Sequence, residues 1–481
     1  MSFPTFRFGG AESDDRRLRN TRSLFSSPDR IRAWGIKSAV SLVDQALTSG
    51  TSLGVNLLLA LWLAPVAYGA FAVGFAAYLF LAAFHNALVL EPSVVIGPAR
   101  HAQQLRAYFL AQMRLHALLV WPLTGLALTA ALALSWMAPH AALISALAGG
   151  GLALPLLLLL WLARRICYAL HKPGVATVGS SVHLATSLGS LLLLRFAGHL
   201  TPSTAFFALG LGSLAGSCLI LRLTALGDLR DCDNSFLSWR TVLSENWCYG
   251  RWLVGSALFY AISTSAQTFL AAGILGLDSA GVLRAMQIPS LVMTQIIASL
   301  GLLVLPALSY DFGNGRIANL RQKAKLVSSG LGLPAFIFAV FLALIDAPLE
   351  RLLFHERYAY FAGMIPLLAL IPATNGLCSG FSLALRACQM PHCDLVSNAF
   401  GAAVSLVSAV MLIPTLGVFG AAVSMVLSVV AMNVVTFTFY LRSAKRFSAA
   451  AAVAGTANLQ ECTGLERTIR HSPQPIVQDY V

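Results

Sequence analysis

The polar side chains Asp44, Thr48, Thr51, Ser52 and Asn56 stand at i, i+4, i+7, i+8 and i+12, so a helix carrying them lines them up on one face. Between them they offer a carboxylate, hydroxyls and an amide, groups that hydrogen-bond a polar solute or, through the carboxylate, take up a proton. The chain around them is apolar. Residues 41–69 read SLVDQALTSGTSLGVNLLLALWLAPVAYG, a run long enough to cross a bilayer. A carboxylate in hydrocarbon costs about 2.5–3.5 kcal/mol on insertion scales, so Asp44 is expected to face a wet interior that the rest of the chain supplies. The competing reading is that Ser and Thr here bond their own backbone or join neighbouring helices; it applies least to Asp44, since a carboxylate needs more solvation than a hydroxyl.

Composition says what positions this face. The chain has 481 residues, 57% of them hydrophobic and 11% charged, with a mean hydropathy of +0.76. Such values exclude an ordinary soluble domain and imply an all-α, polytopic integral membrane protein. About twelve spans are expected, near 39–63, 67–90, 115–138, 141–163, 174–196, 203–224, 252–277, 280–308, 326–346, 362–385, 395–413 and 418–441. The chain then divides into a basic, disordered head (1–37), a first lobe (38–224), a cytoplasmic linker (225–251), a second lobe (252–441) and a loose tail (442–481).

Of the 32 Lys and Arg, only Arg195, Arg284, Arg351 and Arg357 fall on one side of the expected membrane, leaving 28 on the other. By the positive-inside rule both termini are cytoplasmic. The net charge of +13 is thereby accounted for without a nucleic-acid partner. The head lacks the continuous apolar stretch of a signal peptide, although it can touch anionic lipid heads. CQMPHC, from Cys388 to Cys393, is a lone cluster of metal-capable side chains beside a helix end, and neither metal nor cofactor is expected.

The two halves echo each other. Gly69 and Gly281 are 212 residues apart, as are Pro122 and Pro334; after a longer outer loop, Pro155 meets Pro372 and Pro173 meets Pro391 at offsets of 217 and 218. Six spans per half is an even number, so the copies run in the same sense about an axis along the membrane normal. Adding 212 to the polar face of helix 1 gives Ser256, Tyr260, Ser263, Thr264 and Thr268 on helix 7, all polar or hydroxyl-bearing. Two equivalent polar stripes are what two lobes enclosing an aqueous cleft need. Helix 2 adds Tyr78, His85, Asn86 and, at its end, Glu91; helix 8 adds Arg284, Gln287, Thr294 and Gln295. Arg284 can bind an anion in the cleft or snorkel to head groups. Arg386 can receive a phosphate from the cytoplasm or serve as a positive-inside anchor. His85 can equally be a packing residue and Glu91 an interfacial helix end.

Catalytic patterns are missing. GTSLG at 50–54 matches the nucleophile elbow literally, but that motif works on a strand-to-helix turn, and within a membrane helix the small residues are expected to allow close helix packing. There is no phosphate loop of the G-x-x-x-x-G-K-[ST] type and no H-E-x-x-H. Membrane glycan polymerases and ligases generally need a sizeable outer catalytic loop, and the longest here, about residues 347–361, is short; that reading stays as the less favoured alternative, and the chain is expected not to be an enzyme.

DQALTSGTSLGVNLLLALWLAPVAYGAFAVGFAAYLFLAAFHNALVLEP, ILGLDSAGVLRAMQ, FHERYA, SGFSLALRACQMP and PTLGVFGAA together resemble the Wzx-type polysaccharide-export branch of the multidrug/oligosaccharidyl-lipid/polysaccharide (MOP) flippase superfamily, over about residues 35–446. The resemblance implies two six-helix lobes forming a V, with helices 1, 2, 7 and 8 around a cavity that opens alternately to each side. It implies a bacterial inner-membrane protein that flips oligosaccharide on undecaprenyl pyrophosphate for exopolysaccharide, O-antigen or capsule, with a polysaccharide polymerase as a candidate partner. On that reading Thr48, Ser52, Asn56, Gln267, Gln287 and Gln295 hydrogen-bond sugar, with His85 and Asn86 beside them. Family members hold pyrophosphate with cavity cations; helices 1 and 2 carry none in their interiors, so the role falls on Arg284, with Arg386 as second candidate. Asp44 either accepts from sugar or, with Glu91, couples transport to a cation. The alternative is a cation-coupled multidrug exporter of the same superfamily, which Asp44 and Glu91 allow and Arg284 opposes.

Overall fold

The computed structural model describes residues 28–137, 141–224, 237–313, 316–388 and 390–469. Among them there is no strand. In chain order the helices are α1 (Pro28–Trp62), α2 (Pro65–His85), α3 (Glu91–Arg100), α4 (Leu105–Met137), α5 (Ala141–Ala169), α6 (Pro173–Phe196) and α7 (Pro202–Leu223). The second half holds α8 (Trp239–Leu275), α9 (Leu277–Gly313), α10 (Ile317–Leu344), the short α11 (Asp346–Phe354), α12 (Met364–Ala387), α13 (Pro391–Leu416) and α14 (Val418–Ile469). Among the described residues, eleven helices are long and apolar enough to cross a membrane, against about twelve expected. The helix left out is α1, whose run is diluted by Asp44, Asn56 and the hydroxyls between them; it nonetheless packs into the bundle against α6 and α9.

Proline punctuates the chain as its missing N–H requires. Pro65, Pro173, Pro202 and Pro391 open α2, α6, α7 and α13, where the first turn has no donor to lose. Thr201 closes a reciprocal cap at α7: its hydroxyl accepts from the Thr204 N–H at 3.2 Å, and Thr204 Oγ1 accepts from the Thr201 N–H at 2.8 Å. Between α2 and α3 the helix widens into a π-turn, Asn86–Leu90. Pro92 follows at once and cannot donate to the carbonyl four residues back, at Leu88. The Asn246 side chain of α8 supplies that bond at 2.8 Å and pairs with Gln112 of α4 at 3.1 and 3.3 Å. The first turns of α8 are thus fastened to the first lobe in the segment expected to be a linker; residues 225–236 of that segment lie outside the described residues.

The repeat is visible in the backbone. Helices α2 and α9 start at Pro65 and Leu277, and α4 and α10 at Leu105 and Ile317, each pair 212 residues apart; α6 and α13 start at Pro173 and Pro391. Packing repeats too: α1 lies on α6 as α8 lies on α13, and α5 on α7 as α12 on α14. Two six-helix lobes result. They meet where α2 crosses α9, and the crossing is centred on Gly69 and Gly281. A Cβ on Gly69 would stand 1.6 Å from the Leu277 carbonyl oxygen, and one on Gly281 3.0 Å from the Gly69 nitrogen. By contrast a Cβ on Gly50 would have no neighbour within 4 Å, and one on Gly54 would come no closer than 3.7 Å, to Leu188. The GTSLG glycines therefore do not serve the close packing expected of them.

At the far end α14 continues to Ile469, where a loose tail was expected. The run SAAAAVA at 448–454 explains it, since alanine is the strongest helix former. The head expected over residues 1–37 lies outside the described residues up to residue 27; from Pro28 it belongs to α1.

Candidate functional site at the lobe interface

Arg284, two turns into α9, reaches across to the other lobe. Its Nε donates to Asn56 Oδ1 of α1 at 3.0 Å and its Nη1 to Gln287 Oε1 at 3.3 Å, while the guanidinium carbon lies 5.0 Å from the centroid of the Phe75 ring. Among the described residues no carboxylate forms an ion pair with it. Each partner is neutral, so the positive charge is oriented without being cancelled. Asn56, 1% exposed, holds its own register by donating to the Ser52 carbonyl at 2.7 Å. Gln287 donates to Met425 Sδ at 3.1 Å. Further along the same interface, Ser49 of α1 donates to Gln295 Oε1 at 3.1 Å. Asn56, Arg284, Gln287 and Gln295 are thus brought together along the α1–α9 seam, with Ser52 half-buried beside them.

Asp44 sits elsewhere, and its surroundings correct the expected wet interior. Its residue is 0% exposed. Oδ2 accepts from Arg164 Nη2 at 2.7 Å, from Arg164 Nε at 3.3 Å and from the Tyr168 hydroxyl; Oδ1 accepts from Ser180 Oγ at 2.5 Å. Thr48 Oγ1 donates back to the Asp44 carbonyl at 3.0 Å. The carboxylate therefore ties α1 to α5 and α6 inside the first lobe, and its solvation comes from protein donors. Sequence reasoning missed Arg164 because the expected span ended at residue 163, whereas α5 runs on to Ala169. Arg164 and Tyr168, one turn apart on that extension, share one face of α5, and the fold turns that face to Asp44. The second lobe keeps a neutral version: Asn398, 218 residues after Ser180, donates to Ser256 Oγ at 2.8 Å, and Ser256 is the equivalent of Asp44.

The remaining candidates are dispersed. His85 Nε2 and His116 Nδ1 are 2.9 Å apart within the first lobe, and His85 Nδ1 is buried without a partner among the described residues. Asn86 opens the π-turn and is half-buried. Gln267, 0% exposed, donates to Ser405 Oγ at 2.8 Å inside the second lobe. Glu91 faces Arg165 at 3.7 Å and Arg386 donates to Asp394 Oδ2 at 2.7 Å, both at the Glu245 end of the bundle. There His101 Nε2 also meets Glu245 at 2.9 Å.

The opposite end is closed by the loop after α11. His355 and Glu356 both adopt left-handed backbone, at φ 55° and 64°, a conformation non-glycine residues avoid. The bend aims Arg357 at the C-terminus of α1. Its Nη1 donates to the carbonyls of Ala60 (2.8 Å) and Leu61 (3.2 Å), and its Nη2 to that of Leu63 (2.6 Å). These carbonyls are orphans of the helix end, and Pro65 could not have served Leu61. Buried Glu350 holds the loop by accepting from the Tyr358 N–H at 2.7 Å. Burial raises the Tyr358 phenol above its ordinary pKa, with Arg357 pulling the other way.

No family model and no curated protein matches the chain by sequence. Among solved structures, the inward-facing conformation of a multidrug resistance MATE family transporter of the MOP superfamily aligns with a TM-score of 0.69 at 14% identity, over 85% of this chain and 99% of that one. The lipid II flippase MurJ in an inward closed conformation aligns with a TM-score of 0.63 at 12% identity, over 87% and 91%. A mutant of the Vibrio cholerae MATE transporter VcmN gives 0.61 at 15% identity, over 85% and 98%. At these identities the likeness is one of architecture, and this chain has the all-helical, two-lobed fold of MOP-superfamily transporters.

Proposed function

We propose that the chain is a bacterial inner-membrane flippase of the Wzx type, moving undecaprenyl-pyrophosphate-linked oligosaccharide by alternating access. The observation that carries this reading is Arg284: a cation at the lobe interface, oriented by neutral amides and an aromatic face, suits a diphosphate and opposes a cationic drug. Asp44 supports it from the other side. The carboxylate that a cation-coupled exporter would offer is already occupied by Arg164. In the cycle, the sugar head enters between the lobes while the polyprenyl tail stays in lipid, so polar groups are not carried through hydrocarbon. Asn56, Gln287 and Gln295 then exchange their present bonds for sugar hydroxyls, and Arg284 neutralises phosphate. The charge distribution supports a cytoplasmic location for both termini and the Glu245 end, with the Arg357 loop outside. A polysaccharide polymerase is the expected consumer of the flipped unit.

The test is deletion of the gene in its host, followed by complementation with wild type and with Arg284→Ala and Arg284→Lys. Loss of surface polymer with lipid-linked repeat units accumulating, rescue by wild type, a fall of about tenfold or more with Arg284→Ala and partial activity with Arg284→Lys are expected. Unchanged polymer with new sensitivity to cationic drugs would place the chain among the multidrug exporters instead.

A further inference from the structure

The Arg357 contacts do more than finish a helix, because the cap comes from the opposite lobe. Helix α1 belongs to the first lobe and the Arg357 loop to the second, so satisfying the carbonyls of Ala60, Leu61 and Leu63 and holding the lobes together at this end are one contact. That closed arrangement also carries unrelieved costs. The hydroxyls of Tyr68 and Tyr358 are buried without hydrogen-bond partners among the described residues. Tyr68 adjoins the Gly69–Gly281 crossing, is 0% exposed, and lies within electrostatic reach of both Arg284 and Tyr358. The left-handed backbone of His355 and Glu356 adds strain in the same loop. Parting of the lobes would wet both phenols and relax the bend, and Arg357 is the group whose bonds oppose it. Its side chain is exposed, so water competes for those bonds directly.

We propose that Arg357 is a latch poised against two unsatisfied tyrosine hydroxyls and a strained loop, so that the lobes are balanced between closed and open at this end. Substitutions on the two sides of the balance must then act with opposite sign. Arg357→Ala releases the latch and favours the open form. Tyr358→Phe removes a buried unpaired hydroxyl while keeping the ring against Phe354, 5.4 Å between centroids, and favours the closed form. A simple helix cap makes no such pair of predictions.

Hydrogen exchange of the full chain in nanodiscs reads this without any substrate. For Arg357→Ala, amides of residues 65–75 and 277–287 at the lobe crossing are expected to exchange about tenfold faster, together with 355–363. Tyr358→Phe should slow exchange at the crossing, and Arg357→Lys should fall between wild type and alanine. Acceleration confined to 57–63 and 355–363 would reduce Arg357 to a local cap and overturn the proposal, as would faster exchange at the crossing in Tyr358→Phe. If the alanine variant does not fold, the lysine variant and Tyr358→Phe still give the two signs. The purpose assigned to the latch rests on the alternating-access reading, but lobe closure is measured independently of export, so either can fail alone.

Discussion

Arg164 is the residue on which the buried carboxylate of Asp44 depends. Remove it and a charge stays behind at a position with 0% exposure, a loss of about 3–5 kcal/mol for a broken buried pair. Arg164→Ala is therefore expected to lower the melting temperature of the detergent-solubilised protein steeply. The double variant Asp44→Asn, Arg164→Gln should melt closer to wild type, since neutral partners can keep the Ser180 and Tyr168 contacts. A double variant as unstable as Arg164→Ala would show that geometry rather than charge is what counts there. At this scale the sequence was legible in part. The i, i+4 arithmetic singled out Asn56, which the fold turns toward α9, and Arg284, Gln287 and Gln295 emerged together from helix 8. Asp44 and Thr48 share that face of α1, yet a helix turns different parts of one stripe toward different neighbours, and no spacing rule says that Arg164 lies across the way. Gln267 and His85 stand away from the seam for a related reason: a buried polar residue bonded within one lobe has the same sequence signature as one facing a cleft.

Between helices, the decisive quantity is how closely two backbones approach. Gly69→Ala would put a methyl 1.6 Å from the Leu277 carbonyl oxygen, which only separation of α2 from α9 relieves. It and Gly281→Ala are expected to lose about 1–3 kcal/mol of stability, the usual range for overpacking, and to impair transport. Gly50→Ala, with open space around it, should instead gain about 0.5–1 kcal/mol from backbone entropy. Melting curves of the three variants check the ordering, and a stable Gly69→Ala would contradict the crossing. The repeat offset picked out Gly69 and Gly281 from sequence because a glycine kept at the same place in both copies stands out; both lie in the first turns of their helices, α2 and α9. Their contact was not legible, since an offset reports equivalence and says nothing of distance. The π-turn was hidden as well: Pro92 announced a break, but its repair by Asn246 came from a helix 154 residues away.

Across the molecule, charge and exposure make the membrane orientation a direct prediction. Tyr360 is 84% exposed in the Arg357 loop, and Cys248 is exposed near Glu245. With Tyr360→Cys in intact cells, a membrane-impermeant maleimide is expected to label the introduced thiol at once and Cys248 only after permeabilisation. The reverse pattern would invert the topology. Composition and loop charge made the helical membrane architecture readable, because hydrocarbon leaves few ways to satisfy a backbone. Lobe closure was not readable, because Arg357 acts through carbonyls, which carry no sequence mark.

The glycine crossing has a historical corollary. A residue that meets its own repeat equivalent lies on the twofold axis relating the halves, as in an isologous dimer, where a position on the axis touches itself. A six-helix ancestor that paired with an identical neighbour in the same membrane orientation would have needed just one glycine to build this contact. After gene fusion the same contact needs two, each mutable alone, and either one is enough to break it.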